Sequence, residues 1–193
     1  MTESTVRDEL QQYVQMQVDI AEDDFESIVA EAVDMFADDG EDPDQLQPVA
    51  AELTAAAISR RLAEQADWPA HTDSDRLTAA FADLTAAGIV ARENFSCCQG
   101  CGHGEILDEA TGDDRGYAFY HSQDAESAAS GQGLYLAYGL VNHSEDPADT
   151  ERIGHEIAEA VRRNGLQVTW DGSVKTRIHV PLTWQRRWTA PAP

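Results

Sequence analysis

The sequence predicts an α+β fold: about four N-terminal helices packed on a mixed sheet of about five strands, with two further helices. Three observations carry this. Apolar residues recur at helical spacing through the first half of the chain. Short β-branched and aromatic runs bounded by Gly, Asp and Asn take over from Ile89 onward. With 193 residues and a hydrophobic fraction of 42%, the chain can bury one sizeable core, or a helical part and an α+β part. The expected division is a helical segment over 1–70, an α+β domain over 71–188 that contains every cysteine, and a loose tail over 189–193, or one compact domain overall.

In chain order, Leu10, Tyr13, Val14 and Gln17 fall on one helical face, as do Phe25, Ile28, Val29, Ala32, Val33 and Phe36. Between them Glu22, Asp23 and Asp24 suit a helix N-terminus, whose backbone N–H groups lack partners. Two helices over 5–18 and 22–38 follow, or one continuous helix, with Gly40 as the stop. Asp42-Pro43 is a cap with proline at the first helical position. Pro48 argues for a later start near Gln47, because an interior proline loses a hydrogen bond. That helix runs to Glu64 and is halted by Asp67-Trp68-Pro69. Thr72-Asp73-Ser74-Asp75 caps a fourth helix with Leu77, Phe81 and Leu84 inward, and Gly88 sits where a left-handed C-cap is wanted.

Ile89–Phe95 reads as a strand, Tyr117–Tyr120 as a buried strand, His121–Ser130 as a short helix and Leu134–Tyr138 as another strand. If those two strands are parallel, the connection between them is a right-handed crossover. Asp146-Pro147 opens a helix lined by Ile153, Ile157, Ala160 and Val161, with Arg162 and Arg163 at its C-terminus, where cations are favoured. Leu166–Trp170 and Val174–Pro181, joined by Asp171-Gly172-Ser173, read as a hairpin. Trp184, Arg186, Arg187 and Trp188 form a basic aromatic end expected to fold back over the acidic helices.

Charge excludes several functions. The net charge is −23, and residues 1–88 hold 21 acidic against 4 basic side chains. A body of that sign repels phosphate backbones and anionic lipid. The join of the fourth helix to Gly88 and a strand is similar to the end of a winged helix, but the helix offers Asp73, Asp75, Asp83 and one arginine, Arg76, to a groove that demands cations. No nucleic-acid or membrane partner is expected; a basic protein partner is the class the charge suits. No apolar run reaches the roughly 18 residues of a membrane span. The polar, acidic start Met1–Asp8 is unlike a signal peptide, so a cytoplasmic location is expected.

All three cysteines lie within Asn94–Glu105, in the run Phe95-Ser96-Cys97-Cys98-Gln99-Gly100-Cys101-Gly102-His103. Cys98-Gln99-Gly100-Cys101-Gly102 has the Cys-x-x-Cys-Gly form of a zinc knuckle, in which two thiolates grip one ion and glycine lets backbone N–H groups turn toward sulfur. A structural site takes four ligands, and no second Cys-x-x-Cys pair is present. The remainder must come from Cys97, His103, His121 or His143. Adjacent cysteines on a strand point to opposite faces, so the expected metal set is Cys98, Cys101, His103 and His121. The same spacing also fits a thiol redox pair, Cys98 and Cys101, delivered by a strand to a helix start. A third option pairs Cys97 or Cys98 as nucleophile with His121 or His155 as base. Simple packing of small side chains is the fourth.

Phe95–Gly102, Tyr117–His121, Gly133–Gly139 and Trp170–Ser173 together resemble an uncharacterised bacterial family known only as a domain of unknown function and marked by an F-S/T-C-C-Q-x-C-G motif. The resemblance spans about 75 to 188 and extends to the N-terminal helices. It implies a bacterial cytosolic protein and brings no activity with it. The motif and composition favour a non-enzymatic protein whose knuckle holds one structural zinc ion. The alternatives are a thiol-based redox enzyme or sensor using Cys98 and Cys101, and an acidic protein-interaction module.

Overall fold

The computed structural model describes residues 3–142, 144 and 146–190. The chain divides into two compact units, one formed by Met1–Ala70 with Gln185–Pro193 and the other by His71–Trp184.

The first unit is helical: α1 (Glu3–Ile20), α2 (Phe25–Asp38) and α3 (Pro43–Gln65). Helix α1 ends at Ala21, whose φ of 58° turns the chain, and Asp24 restarts it by accepting the Ser27 N–H at 2.8 Å. Helix α3 begins at Pro43 rather than near Gln47. Asp42 accepts the Asp44 N–H with its side chain and the Gln45 and Leu46 N–H groups with its carbonyl. Pro48 is then tolerated because the bond it cannot make is to Asp44, an exposed residue whose carbonyl can turn to water. Leu10, Val14 and Val18 of α1, Ile28, Ala32 and Phe36 of α2, and Ala50, Ala57 and Ile58 of α3 share one core with Trp188. The basic end does fold onto this unit. Arg186 pairs with Glu22 at 3.0 Å, Arg187 donates to the Pro69 carbonyl at 2.6 Å, and buried Arg61 donates to the Asp19 and Arg186 carbonyls at 2.8 and 2.9 Å.

The second unit is α+β. Helix α4 (Asp73–Ala86) starts in a capping box of Thr72 and Asp75 and closes at Gly88, φ 76°. Strand β1 (Ile89–Arg92) leads to α5 (Gln99–Glu105), a 3-10 turn (Ile106–Glu109), β2 (Gly116–Phe119), α6 (Ser122–Ala129), β3 (Leu134–Leu140), α7 (Pro147–Arg163) and β4 (Ile178–Val180). The four strands form one sheet in the order β1-β2-β3-β4. Strand β1 runs parallel to β2 with Val90 opposite Tyr117, while β2–β3 and β3–β4 are antiparallel. Helices α4 and α7 pack on one face, and α5 with the 3-10 turn covers Tyr117, Phe119, Val90 and Ala137 on the other.

Three expectations change. The segment joining β2 to β3 is no right-handed crossover, since these strands are antiparallel; the parallel crossover is β1 to β2, and it carries the cysteines. A third helix, α5, stands beside the two expected in this half. Of the expected fifth strand, Leu166–Trp170, only the bridge Thr169–His179 forms. The turn that follows explains this. The Trp170 indole N–H turns back to the Ser173 and Thr176 carbonyls, and the Asp171 carboxylate accepts from the Ser173 N–H and the Thr176 hydroxyl. Residues that would continue the ladder are consumed by the loop.

Candidate functional site

Strand β1 stops at Arg92, and Asn94 (φ 44°) and Ser96 (φ 65°) fold the chain sharply before the cysteines. Three hydrogen bonds fix this turn to the end of β2 and the start of α6. Phe95 donates its N–H to the Tyr120 carbonyl at 2.7 Å, Ser122 its N–H to the Ser96 carbonyl at 3.3 Å, and the Ser122 hydroxyl reaches the Cys97 carbonyl at 3.1 Å. Cys98, in extended backbone, is the N-cap of α5, and its sulfur accepts the Cys101 N–H at 3.5 Å. The consequence is a three-thiol cluster: the Sγ atoms of Cys97, Cys98 and Cys101 all lie within 4.8 Å of one another. Cys97 and Cys101 are exposed and Cys98 half-buried, so these are not core-filling side chains.

The electrostatics of the cluster are asymmetric. The Cys101 N–H, bonded to the Cys98 sulfur, holds that thiol below its ordinary pKa. Cys101 is pushed up to about 11, first because its protonated thiol hydrogen-bonds to Cys98 and then to Cys97, and after that because a second thiolate beside them meets like charge. Such a donor set fits a thiophilic cation. Zinc thiolate bonds of about 2.3 Å place tetrahedral sulfurs about 3.7 Å apart, and a divalent charge offsets the repulsion. Three close cysteines are compatible with a metal ion; a closed structural site would need a fourth ligand.

The two expected histidine ligands stand elsewhere. Helix α5 rests on the sheet through Gly102, where a Cβ would come 2.4 Å from the Phe119 ring. His103 faces the same way, its Nδ1 2.9 Å from the Tyr117 hydroxyl and its Nε2 3.3 Å from the Gln99 amide nitrogen. With the Gln99 amide donating to Nε2, the ring proton sits on Nδ1 and goes to Tyr117. Cys101 is two residues back, about 200° around a helix, on the solvent side. Burial, then the charges of Arg177 and His121, lower the His103 pKa and keep it neutral.

His121 is buried at the end of β2, its Nε2 3.0 Å from the Asp124 carboxylate. Asp124, itself 3% exposed, also accepts Arg177 Nη1 at 2.9 Å on both oxygens. His121 Nδ1 faces the first turn of α6 in a capping-box arrangement but makes no hydrogen bond among the described residues, since the Asp124 N–H goes to the His121 carbonyl. Burial lowers the His121 pKa, with Asp124 opposing and Arg177 reinforcing. Neither histidine belongs to the thiol cluster; Cys97, set aside on strand geometry, does. His143 lies outside the described residues. His155 meets Trp170 edge-to-face at 5.0 Å and His179 lies tilted against Tyr135 at 4.6 Å, outside the cysteines' group.

The fold and site thus define an α+β protein with a three-thiol turn carried on a parallel crossover. The chain belongs to the family described as a domain of unknown function (DUF6891), whose model matches residues 3–188. No curated protein and no solved structure matches it. No described helix is long and apolar enough to cross a membrane.

Proposed function

We propose that this chain is a non-enzymatic metal-binding protein in which Cys97, Cys98 and Cys101 would hold one zinc ion that staples the turn after β1 to the start of α5. The observation that carries the reading is the convergence of three sulfurs within 4.8 Å from a turn already anchored by backbone bonds to β2 and α6. Cys98, its pKa already lowered, is the readier of the pair to deprotonate, and Cys101, raised beside it, gains from a cation. The fourth position falls to water or to an outside donor. The set Cys98, Cys101, His103 and His121 would instead require α5 to unwind and both rings to leave their present partners.

Elemental analysis of untagged protein, with native and denatured thiol counts, tests this. One zinc per chain, with thiols released on chelation, is the expected result. Cys97→Ser, Cys98→Ser and Cys101→Ser should each lower zinc content, while His103→Ala and His121→Ala should not. Retention of zinc in Cys97→Ser with loss in His103→Ala would transfer the site to the histidine set.

One observation favours a second reading, a dithiol–disulfide couple. The lowered Cys98 and raised Cys101 are the asymmetry of an attacking and a resolving thiol. The Cys98 thiolate would attack a partner disulfide and release one thiolate. Cys101 would then lose its proton and displace the second, leaving Cys98–Cys101 oxidised and the partner reduced. Metal-free protein with one fast thiol and a reversible disulfide would establish this couple and sink the zinc reading.

A further inference from the structure

A second site stands apart from the cysteines, on the strand edge where β3 and β4 pair. Arg177 precedes β4, and its guanidinium is spent on one side only. Nη1 makes both bonds to the buried Asp124 carboxylate at 2.9 Å, and among the described residues Nε and Nη2 carry no hydrogen bond. The arginine side chain is 30% exposed and neither Nε nor Nη2 is a fully buried atom, so this remaining edge reaches solvent. It is not a floppy surface arginine. Asp124, whose side chain is 4% exposed, fixes one end, and the guanidinium carbon sits 5.0 Å over the Tyr135 ring. Tyr135, 37% exposed, is backed by His179 at 4.6 Å with the rings tilted by 32°. His179 Nε2 is 3.1 Å from the Gln132 carbonyl, which makes that nitrogen the protonated one and holds the ring in place.

The Nε–Nη2 edge of a guanidinium presents two parallel N–H donors, the geometry that matches two oxygens of a carboxylate or phosphate. Here the ordering entropy of the arginine is already met within the fold, so a ligand would not have to supply it. The part of the Tyr135 ring left exposed beside Arg177 and His179 offers apolar contact for whatever carries the oxyanion. We propose that Arg177, with Tyr135 and His179, forms a binding subsite for a small oxyanion ligand, a carboxylate or a phosphate, gripped side-on through Nε and Nη2. Asp124 acts here as a positioning residue: it touches no ligand and holds Arg177 in register. Because Asp124 balances the arginine's charge, recognition rests on the paired donors and the platform rather than on bulk positive potential, and the affinity is modest.

The test is a solution NMR titration of the full chain at constant ionic strength, reading the Arg177 Nε–H signal and the Tyr135 and His179 ring protons. Inorganic phosphate is one probe and sodium benzoate, a carboxylate on a flat ring, the other. Saturable shifts of those three residues are expected with at least one probe. Phosphate alone would assign the site to phosphates, and benzoate alone to carboxylates. Arg177→Lys keeps a cation for Asp124 but removes the paired donors, and should weaken binding at least about tenfold. Tyr135→Leu, which leaves the Asp124 pair intact, should weaken benzoate more than phosphate. Shifts that stay linear to high concentration with both probes, or Arg177→Lys binding as the parent does, would overturn the proposal. Zinc content measured in the same samples bears on the cysteines alone, so the two sites stand or fall separately.

Discussion

At the scale of single residues, the site depends on a close approach and on two neutral histidines. Gly102 lets α5 lie against Phe119, and a methyl group there would overlap the ring at 2.4 Å. Gly102→Ala should therefore lift α5 from the sheet and destabilise the protein by about 1–3 kcal/mol, the usual range for an overpacked contact. A fall of about 3–10 °C in Tm, with altered His103 ring signals, would show it. His121 gives a pH prediction. Unfolded, it takes a proton below about pH 6.5; folded, burial first and then Arg177 hold its pKa lower, with Asp124 opposing. Between those two values the unfolded chain binds more protons, so stability is present above pH 6.5 and is lost as pH falls toward the folded pKa. His103, lowered mainly by burial, adds in the same direction. His121→Gln, which keeps an N–H donor for Asp124, should reduce the loss of amide-exchange protection in β2 and β3 between pH 7 and 5.5. An unchanged loss would mean that other groups carry the acid sensitivity.

At the scale of elements, helix starts were the most legible feature of the sequence, because capping is local chemistry. Asp24, Thr72 and Asp146 cap where their positions implied, and Asp42 caps as well although Pro48 argues for a later start. Thr72 is the strongest: its hydroxyl accepts the Asp75 N–H at 3.2 Å while Asp75 accepts the Thr72 N–H at 2.8 Å. Thr72→Ala should cost about 1 kcal/mol and Thr72→Ser much less, read by chemical denaturation. What the sequence concealed was non-local. Cys97 was excluded by assuming that the strand continued through it, whereas two positive-φ residues break the strand. Asn94 was a usable signal, since asparagine is among the few residues that adopt that conformation readily; Ser96 was none. The Cys98, Cys101, His103 and His121 set failed to gather for a similar reason. Residues two apart in a helix face opposite ways, and α5, a helix beyond the two expected in this half, places both Cys101 and His103 within it. The pairing of Asp124 with Arg177 joins residues with no shared sequence pattern, and only the sheet brings them together.

At the scale of the molecule, charge and the return of the chain's end govern stability. With a net charge of −23, repulsion within the folded chain is substantial and is screened by salt over a Debye length of about 10 Å at 0.1 M. Raising sodium chloride from about 0.02 to 0.5 M should increase Tm, and a fall would show that specific ion pairs such as Arg186–Glu22 outweigh the bulk repulsion. The helical unit, moreover, is completed by a residue distant in sequence. Trp188 is 4% exposed within the core of α1, α2 and α3, so residues 1–70 alone lack part of their own interior. Its indole nitrogen is buried without a hydrogen-bond partner among the described residues, which sets two substitutions against each other. Trp188→Ala opens a cavity and should destabilise this unit by about 3–5 kcal/mol. Trp188→Phe keeps an aromatic ring and removes an unpaired buried donor, so the lost contact area is partly offset by the desolvation penalty relieved. Denaturation of both variants should give a large loss for alanine and little for phenylalanine; equal losses would mean that the indole nitrogen does have a partner in solution, and that the end of the chain is held by more than apolar burial.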